Sequence, residues 1–258
     1  MAYETLLLEK RDNIGFITLN RPAQLNTFSS LLADEFNHAL EALEKDPETR
    51  VIVIRGEGKA FCAGIDVNEL EGKNGLDYYR WVGSMEEMAL RMSRMGTPVI
   101  ASVHDLAVAN GIAIVAASDL ALAAEGARFG ATAVNIGLFC MGPAVVLSRC
   151  IGQKKTMELL LTGEMIDAGE AWRVGLINKV VPKDALASET EALAAKLAQK
   201  SPLAMQLGKK SFYKMQDLEL EKAFELVNNH FALLCSSEDA HEGVDAFLNK
   251  RTPQWKMR

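Results

Sequence analysis

The stretch that decides the fold is "VHDLAVANGIAIVAASDLALAA", Val103 to Ala124. It is apolar almost throughout, yet Asn110-Gly111 interrupts it with a pair that marks a sharp turn. Gly111 to Ser118 then reads as a buried helix and "DLALAA" as a strand, while "GTPVIASV" just upstream reads as another strand. Asn110, Ser118 and Asp119 break the run, so a buried helix feeding a strand explains it better than a membrane span. A turn that opens a helix leaves N–H groups without intrahelical acceptors, and such groups favour a negative partner. Helix followed by buried strand predicts an α/β spiral in preference to a sandwich or a bundle.

The same alternation extends in both directions. "YETLLLEKRDNIGFITLN" predicts two strands joined at Asp12-Asn13 and ended by Asn20-Arg21-Pro22. "SLLADEFNHALEALEKD" puts Leu32, Phe36, Leu40 and Leu43 on one helical face, capped by Ser29 or Ser30. "VIVIRG" is a continuous apolar run of the kind buried in a parallel sheet. In "SMEEMALRMSRM", Met85, Met88, Met92 and Met95, with Leu90, are expected on one apolar face, a core face first and a cover for an apolar ligand second. Asp167 and Glu170 have capping-box spacing with Gly175 as a stop, and "LINKVVP" is a short strand closed by Pro182. From Lys183 onward the pattern is helical, broken at Ser201-Pro202, and this helical third must dock on its own core or on a neighbour.

The chain has 258 residues and a net charge of −6, which suits one large domain and argues against general affinity for nucleic acid or an anionic membrane. Cys62, Cys140, Cys150 and Cys235 show no metal spacing and read as reduced thiols, and no secretory signal is evident in "MAYETLLLEKRDNIG". A cytoplasmic protein with no metal and no dissociable cofactor is expected.

Two glycine-containing turns follow buried strands, "GEGKAFCAGIDVNEL" (Gly56–Leu70) and the opening stretch. Neither is a phosphate loop, since GxxxxGK[ST] is absent and GxGxxG falls at neither turn. Two N–H donors converging on one point would make an oxyanion hole. On periodicity alone Gly64 and Gly111 are better read as packing glycines.

Together with "TPVIASV", "AASDLALAAEGARFGA", "NIGL", "IGQKKTMELLLTGEMIDAGEAWRVGLINKVVP", "LNRPAQLNTF" and "EGVDAFLNKRTPQW", these turns give the chain a resemblance to the enoyl-CoA hydratase/isomerase (crotonase) superfamily. The likeness runs in order over almost the whole chain. It implies a spiral of β-β-α turns over residues 1–198, a C-terminal helical trimerisation region over 199–258, and assembly as a homotrimer or a dimer of trimers. It further implies an acyl-CoA thioester as partner, with coenzyme A carried by the substrate, and a thioester oxygen bound by the backbone N–H groups of Ile65 and Asn110. Glycine is usual where Asn110 stands, but only the N–H is required. Ala63, Asp66 and Val67 would line the adenine end, Gln24 and Leu25 would flank the pantetheine, Gly64 would precede the first donor and Gly111 follow the second as substrate-binding glycines, and Lys59 would meet a CoA phosphate or simply be solvated.

Hydratases of the superfamily use two glutamates, and the positions this chain offers for them hold Ala113 and Ala133; a later acid position of the isomerases holds Met141. No Asp or Glu occurs between Glu125 and Glu158, so this is not a slip of alignment by one residue. Losing general acid–base catalysis typically costs about 10²- to 10⁴-fold per group, which makes efficient hydration an unfavoured expectation. Cys140 reads as a core thiol before a nucleophile, His104 and Asp105 as local groups before a general base, Asn135 and Ser118 as structural, and Asp119 as a helix cap or turn closer. His38, His230 and His241 show no ligand spacing, and Lys250, Arg251 and Trp255 either approach CoA or make surface contacts. The expectation is therefore a protein that polarises a thioester carbonyl, for enolate-type chemistry such as isomerisation, decarboxylation or C–C cleavage. The alternative is a catalytically silent acyl-CoA binder, sensor or scaffold.

Overall fold

A computed structural model describes residues 3–257. It opens with two antiparallel strands, β1 (Leu6–Arg11) and β2 (Ile14–Leu19), joined where Asp12 and Asn13 take φ of 51° and 66°. Asn and Asp tolerate that left-handed region better than most residues, which is why the turn falls there. Helix α1 (Ser30–Lys45) is capped by Ser29, whose hydroxyl accepts from the Leu32 N–H, and it buries Leu32, Phe36, Leu40 and Leu43 against the sheet.

From this point the path repeats. β3 (Val51–Gly56), β4 (Ala60–Cys62) and α2 (Gly75–Arg94) make one turn. β5 (Val99–Val103), β6 (Leu106–Val108) and α3 (Asn110–Ala117) make the next, and β7 (Leu120–Ala124), β8 (Arg128–Gly130) and α4 (Met141–Cys150) the third. Because successive turns follow the same course, equivalent strands stack on one another. β2, β3, β5 and β7 are parallel neighbours in one sheet, and β4, β6 and β8 are parallel neighbours in a second. This is the β-β-α spiral expected from the sequence.

Helix α5 (Gln153–Thr162) leads to β9 (Met165–Asp167), which closes the second sheet antiparallel to β8. Asp167 caps α6 (Ala168–Arg173) by accepting from the Glu170 N–H, Gly175 follows at φ 87°, and β10 (Lys179–Val181) joins β7 in the first sheet. The remainder is helical: α7 (Leu186–Ala198), α8 (Pro202–Met215), α9 (Leu220–Cys235) and α10 (Glu238–Leu248). α7 packs Leu186, Ala194 and Ala198 on the sheet beside Phe16, Val53 and Ile100.

Two side chains stand differently from expectation. Asp119 neither caps a helix nor closes a turn: its carboxylate accepts from the Val99 N–H (2.7 Å) and the Tyr213 hydroxyl (2.9 Å) and pairs with Lys209 Nζ at 2.6 Å, so it anchors α8 to the sheet. Leu90 leaves the methionine face. Met85, Met88 and Met92 are buried on α2 and Met95 just beyond it, whereas Leu90 is 48% exposed. Two residues on from Met88 is about 200° around a helix, so the two cannot share a face. No helix among the described residues is long and apolar enough to cross a membrane, and no group of three or more His, Cys, Asp or Glu among them could hold a metal.

Candidate active site

The stacking of turns brings chain corners together. β4 and β6 are parallel neighbours, so the corners where the chain leaves them, Ala63–Ile65 and Ala109–Asn110, lie side by side. They are in direct contact: a Cβ built on Gly64 would stand 2.9 Å from the Ala109 Cβ and 3.5 Å from the Val108 carbonyl oxygen. Gly64 also has φ 98°, a conformation that side chains oppose, so glycine is required there on both counts.

At the first corner the Phe28 N–H donates to the Gly64 carbonyl and the Asp66 N–H to the Phe28 carbonyl. Ile65 lies between them, and its own N–H has no acceptor among the described residues. At the second corner Asn110 is the first residue of α3, so its N–H has no intrahelical acceptor. Both residues line one cavity of about 700 Å³ between α2, α3, α4 and α8, a volume typical of small-molecule sites. The Asn110 carboxamide is buried, lines the same cavity and makes no hydrogen bond among the described residues.

Asn110-Gly111 has a steric reason. The start of α3 is pressed onto the end of β4, so that a Cβ on Gly111 would stand 2.2 Å from the Cys62 carbonyl oxygen. Ahead of it, Ala109 holds φ 49° and ψ −110°, a combination favourable to glycine and costly for alanine. Ala109→Gly is therefore expected to stabilise the protein by about 1 kcal/mol despite the greater freedom of glycine when unfolded. A higher urea midpoint at unchanged slope would register it, and an unchanged or lower midpoint would contradict it.

The other residues singled out in the sequence fall into two groups. Ala113, Ala133 and Met141 line the cavity with Ile65 and Asn110. Gln24, Leu25, Ala63, Gly64, Asp66 and Val67 do not line it but form a strip next to Ile65. The Ala63 N–H donates to the Leu25 carbonyl, and Gln24, Leu25 and Val67 are exposed. Lys59 is exposed on a loop at the same edge, where Gly58 packs against Pro22. The Asp66 carboxylate is engaged at 2.8 Å by Arg21, which with Asn68 holds it below the usual carboxylate range. Asn26, which the sequence reading passed over, organises this strip: it accepts from the Arg21 N–H and donates to the carbonyls of Glu57 and Ala60. Its signal, an Asn in a predicted loop, is too common to single out.

His104 does not line the cavity. Its Nε2 meets the Gly58 carbonyl at 3.1 Å, and burial pushes its pKa down. Cys140 does line it, but burial raises its thiol pKa, the reverse of what a nucleophile needs, and burial pushes Cys62 up to about 12. Asn135 donates to the Gly163 carbonyl and Ser118 to the Ile114 carbonyl, both structural bonds. Trp255 donates to the Gln199 carbonyl and Arg251 pairs with Glu242 and Asp245, so this tail is fastened to its own helices.

Glu86 carries no distinguishing mark in the sequence. It sits on α2, lines the cavity, has no hydrogen-bond or ion-pair partner among the described residues, and has its pKa raised by burial. In sequence it is one of two adjacent glutamates on an amphipathic helix, where a solvated charge is the ordinary reading.

Stacked β-β-α turns whose adjacent corners bring Ile65 and Asn110, with amides that have no acceptor among the described residues, to the wall of one largely apolar cavity define the architectural class of this protein. The chain belongs to the enoyl-CoA hydratase/isomerase family, whose sequence profile matches residues 9–258. It is 36% identical over 250 residues to the mitochondrial enoyl-CoA hydratase domain-containing protein 3 of Xenopus laevis, covering 96% of this chain and 85% of that one. Among solved structures, a Mycobacterium smegmatis enoyl-CoA hydratase superposes with a TM-score of 0.94 at 37% identity, covering 98% of this chain and 99% of the other. Human enoyl coenzyme A hydratase domain-containing protein 3 superposes equally well, at 0.94 and 35% identity, over 98% and 100% of the two chains.

Proposed function

We propose that the protein binds an acyl-CoA thioester and polarises its carbonyl between the N–H groups of Ile65 and Asn110. The observation that carries this reading is that Ile65 and Asn110, whose amides have no acceptor among the described residues, stand at touching corners and line one largely apolar cavity. Such preorganised donors are effective because they are aimed before charge develops and act away from bulk water. The acyl chain runs along Trp81, Met85, Met88 and Phe139, and the CoA portion leaves over the strip formed by Gln24, Leu25, Ala63 and Val67, with Lys59 near a phosphate. Coenzyme A arrives as part of the substrate. Enolate-forming chemistry fits better than hydration, because Ala113 and Ala133 place methyl groups where the superfamily's hydratases carry carboxylates, and one of those walls must hold a water.

The exposed apolar side chains of α9 and α10, including Phe224, Phe231, Phe247 and Leu248, support self-association as a homotrimer or a dimer of trimers. Those same alanines also favour a second reading, that of a silent binder. Hexanoyl-CoA separates binding from no binding: at 100-fold over Kd it is expected to add about 2.7 kcal/mol to the unfolding free energy. No shift with any acyl-CoA would refute the binding reading. A panel of thioesters followed by mass spectrometry then distinguishes the two readings, since a silent binder leaves every thioester intact.

A further inference from the structure

Glu86 rests on the reading of the site just given and extends it. Three carboxylates line the cavity. Asp119 is committed to Lys209, Tyr213 and the Val99 N–H, and Asp217 is paired with Arg149 at 3.1 Å. Glu86 has neither a hydrogen bond nor an ion pair among the described residues. The other acids of its own helix are occupied too: Asp77 completes the capping box of α2, and Glu87 faces Arg91 at 3.8 Å.

Its position is fixed by packing. Trp81, Met85 and Met88 bury the adjoining face of α2, which leaves Glu86 at the edge where helix meets cavity. The carboxylate lies directly on the start of α4, so close that a Cβ on Gly142 would stand 2.4 Å from Oε1. Glycine at 142 is what makes room for it. Its surroundings are apolar: Ala113, Ala133, Phe139 and Met141 line the same cavity. An unpartnered carboxylate costs stability in such a place, and a raised pKa brings it nearer the working range of a proton carrier.

We propose that Glu86 is the acid–base residue of this site and moves one proton between C2 and C4 of a β,γ-unsaturated acyl thioester. The Glu86 carboxylate takes a proton from C2. The C–H electron pair becomes a dienolate whose charge rests on the thioester oxygen at Ile65 and Asn110. The carboxylic acid so formed returns the proton to C4, and the C3=C4 double bond becomes C2=C3. One carboxylate suffices, and nothing is consumed besides the thioester.

The test uses (E)-3-hexenoyl-CoA, with conjugation of the product read by absorbance and exchange at C2 read by mass spectrometry in D2O. The wild-type protein is expected to isomerise it. Glu86→Gln is expected to lower kcat by at least about 10²-fold with KM changed by less than about 3-fold. The variant should fold, since a neutral amide is easier to bury than an unpaired carboxylate. Glu87→Gln, one residue along on the same helix, is expected to match wild type. Gly142→Ala, which sets a methyl against the carboxylate, is expected to lower kcat by about 10-fold with binding retained. Full activity in Glu86→Gln overturns the assignment, as does a wild type that binds hexanoyl-CoA yet neither isomerises nor exchanges deuterium. Failure of wild type to bind hexanoyl-CoA overturns the reading of the cavity itself.

Discussion

Gly111→Ala is expected to destabilise the protein by about 3 kcal/mol and to abolish the thermal shift produced by hexanoyl-CoA. In most helices this exchange does the opposite, since alanine exceeds glycine in helix propensity by about 1 kcal/mol. Here the added methyl would stand 2.2 Å from the Cys62 carbonyl oxygen and 3.1 Å from its carbonyl carbon, both backbone atoms. A side chain could swing away, but the end of β4 cannot, because Cys62 is held in register with Ala107 of β6. Relief requires α3 to lift from β4, and that separates Asn110 from Ile65.

Gly83 supplies the contrast. It lies in the middle of α2, exposed, with nothing within 4 Å of where its Cβ would be. Gly83→Ala is accordingly expected to stabilise by about 0.5–1 kcal/mol and to leave the ligand shift intact. Urea unfolding of the two variants, with and without hexanoyl-CoA, reads both effects. Equal stability of Gly111→Ala and wild type would show that the two corners are not in the contact described.

What the sequence disclosed follows from the range of the interactions involved. A cap at Ser29 or Ser30, which the structure places at Ser29, and one at Asp167 were legible because a cap bonds a backbone three residues away, and the buried run Val51–Ile54 was legible because both its faces are covered. The Asn110-Gly111 pair announced a turn. That Gly111 answers to Cys62 was invisible, since it depends on which strands stack. The candidate donors Ile65 and Asn110 came from family likeness, because a backbone N–H leaves no mark in a side-chain pattern. Glu86 was hidden for a related reason: only the passage of α2 across the start of α4 distinguishes it from Glu87. Ala113, Ala133 and Met141 share the cavity with Ile65 and Asn110, whereas the strip from Gln24 to Val67 lies beside it.

Asp119 shows the same limit, and its removal is the second large effect. Its partner Tyr213 is 94 residues away, so no local pattern could mark it. Asp119→Ala is expected to cost roughly 3–5 kcal/mol, lowering Tm on the order of 10 °C. Most of that loss comes from Lys209, whose side chain is only 7% exposed and would be left as a buried ammonium with the Thr97 carbonyl, 2.9 Å away, as its one remaining hydrogen-bond acceptor among the described residues. The Val99 N–H and the Tyr213 hydroxyl lose their acceptor as well. Lys209→Met removes the charge but keeps an apolar stem, and the Asp119 carboxylate then retains two neutral donors, so it is expected to cost less. Combining the two should recover part of the loss, giving a coupling energy of about 1–3 kcal/mol in a double-mutant cycle. Because the pair ties α8 to the first sheet, the Asp119→Ala variant should also expose Tyr213 and loosen the cavity wall that α8 supplies. Additive losses, or a cost below about 1 kcal/mol for Asp119→Ala, would show that α8 is held by its apolar contacts instead.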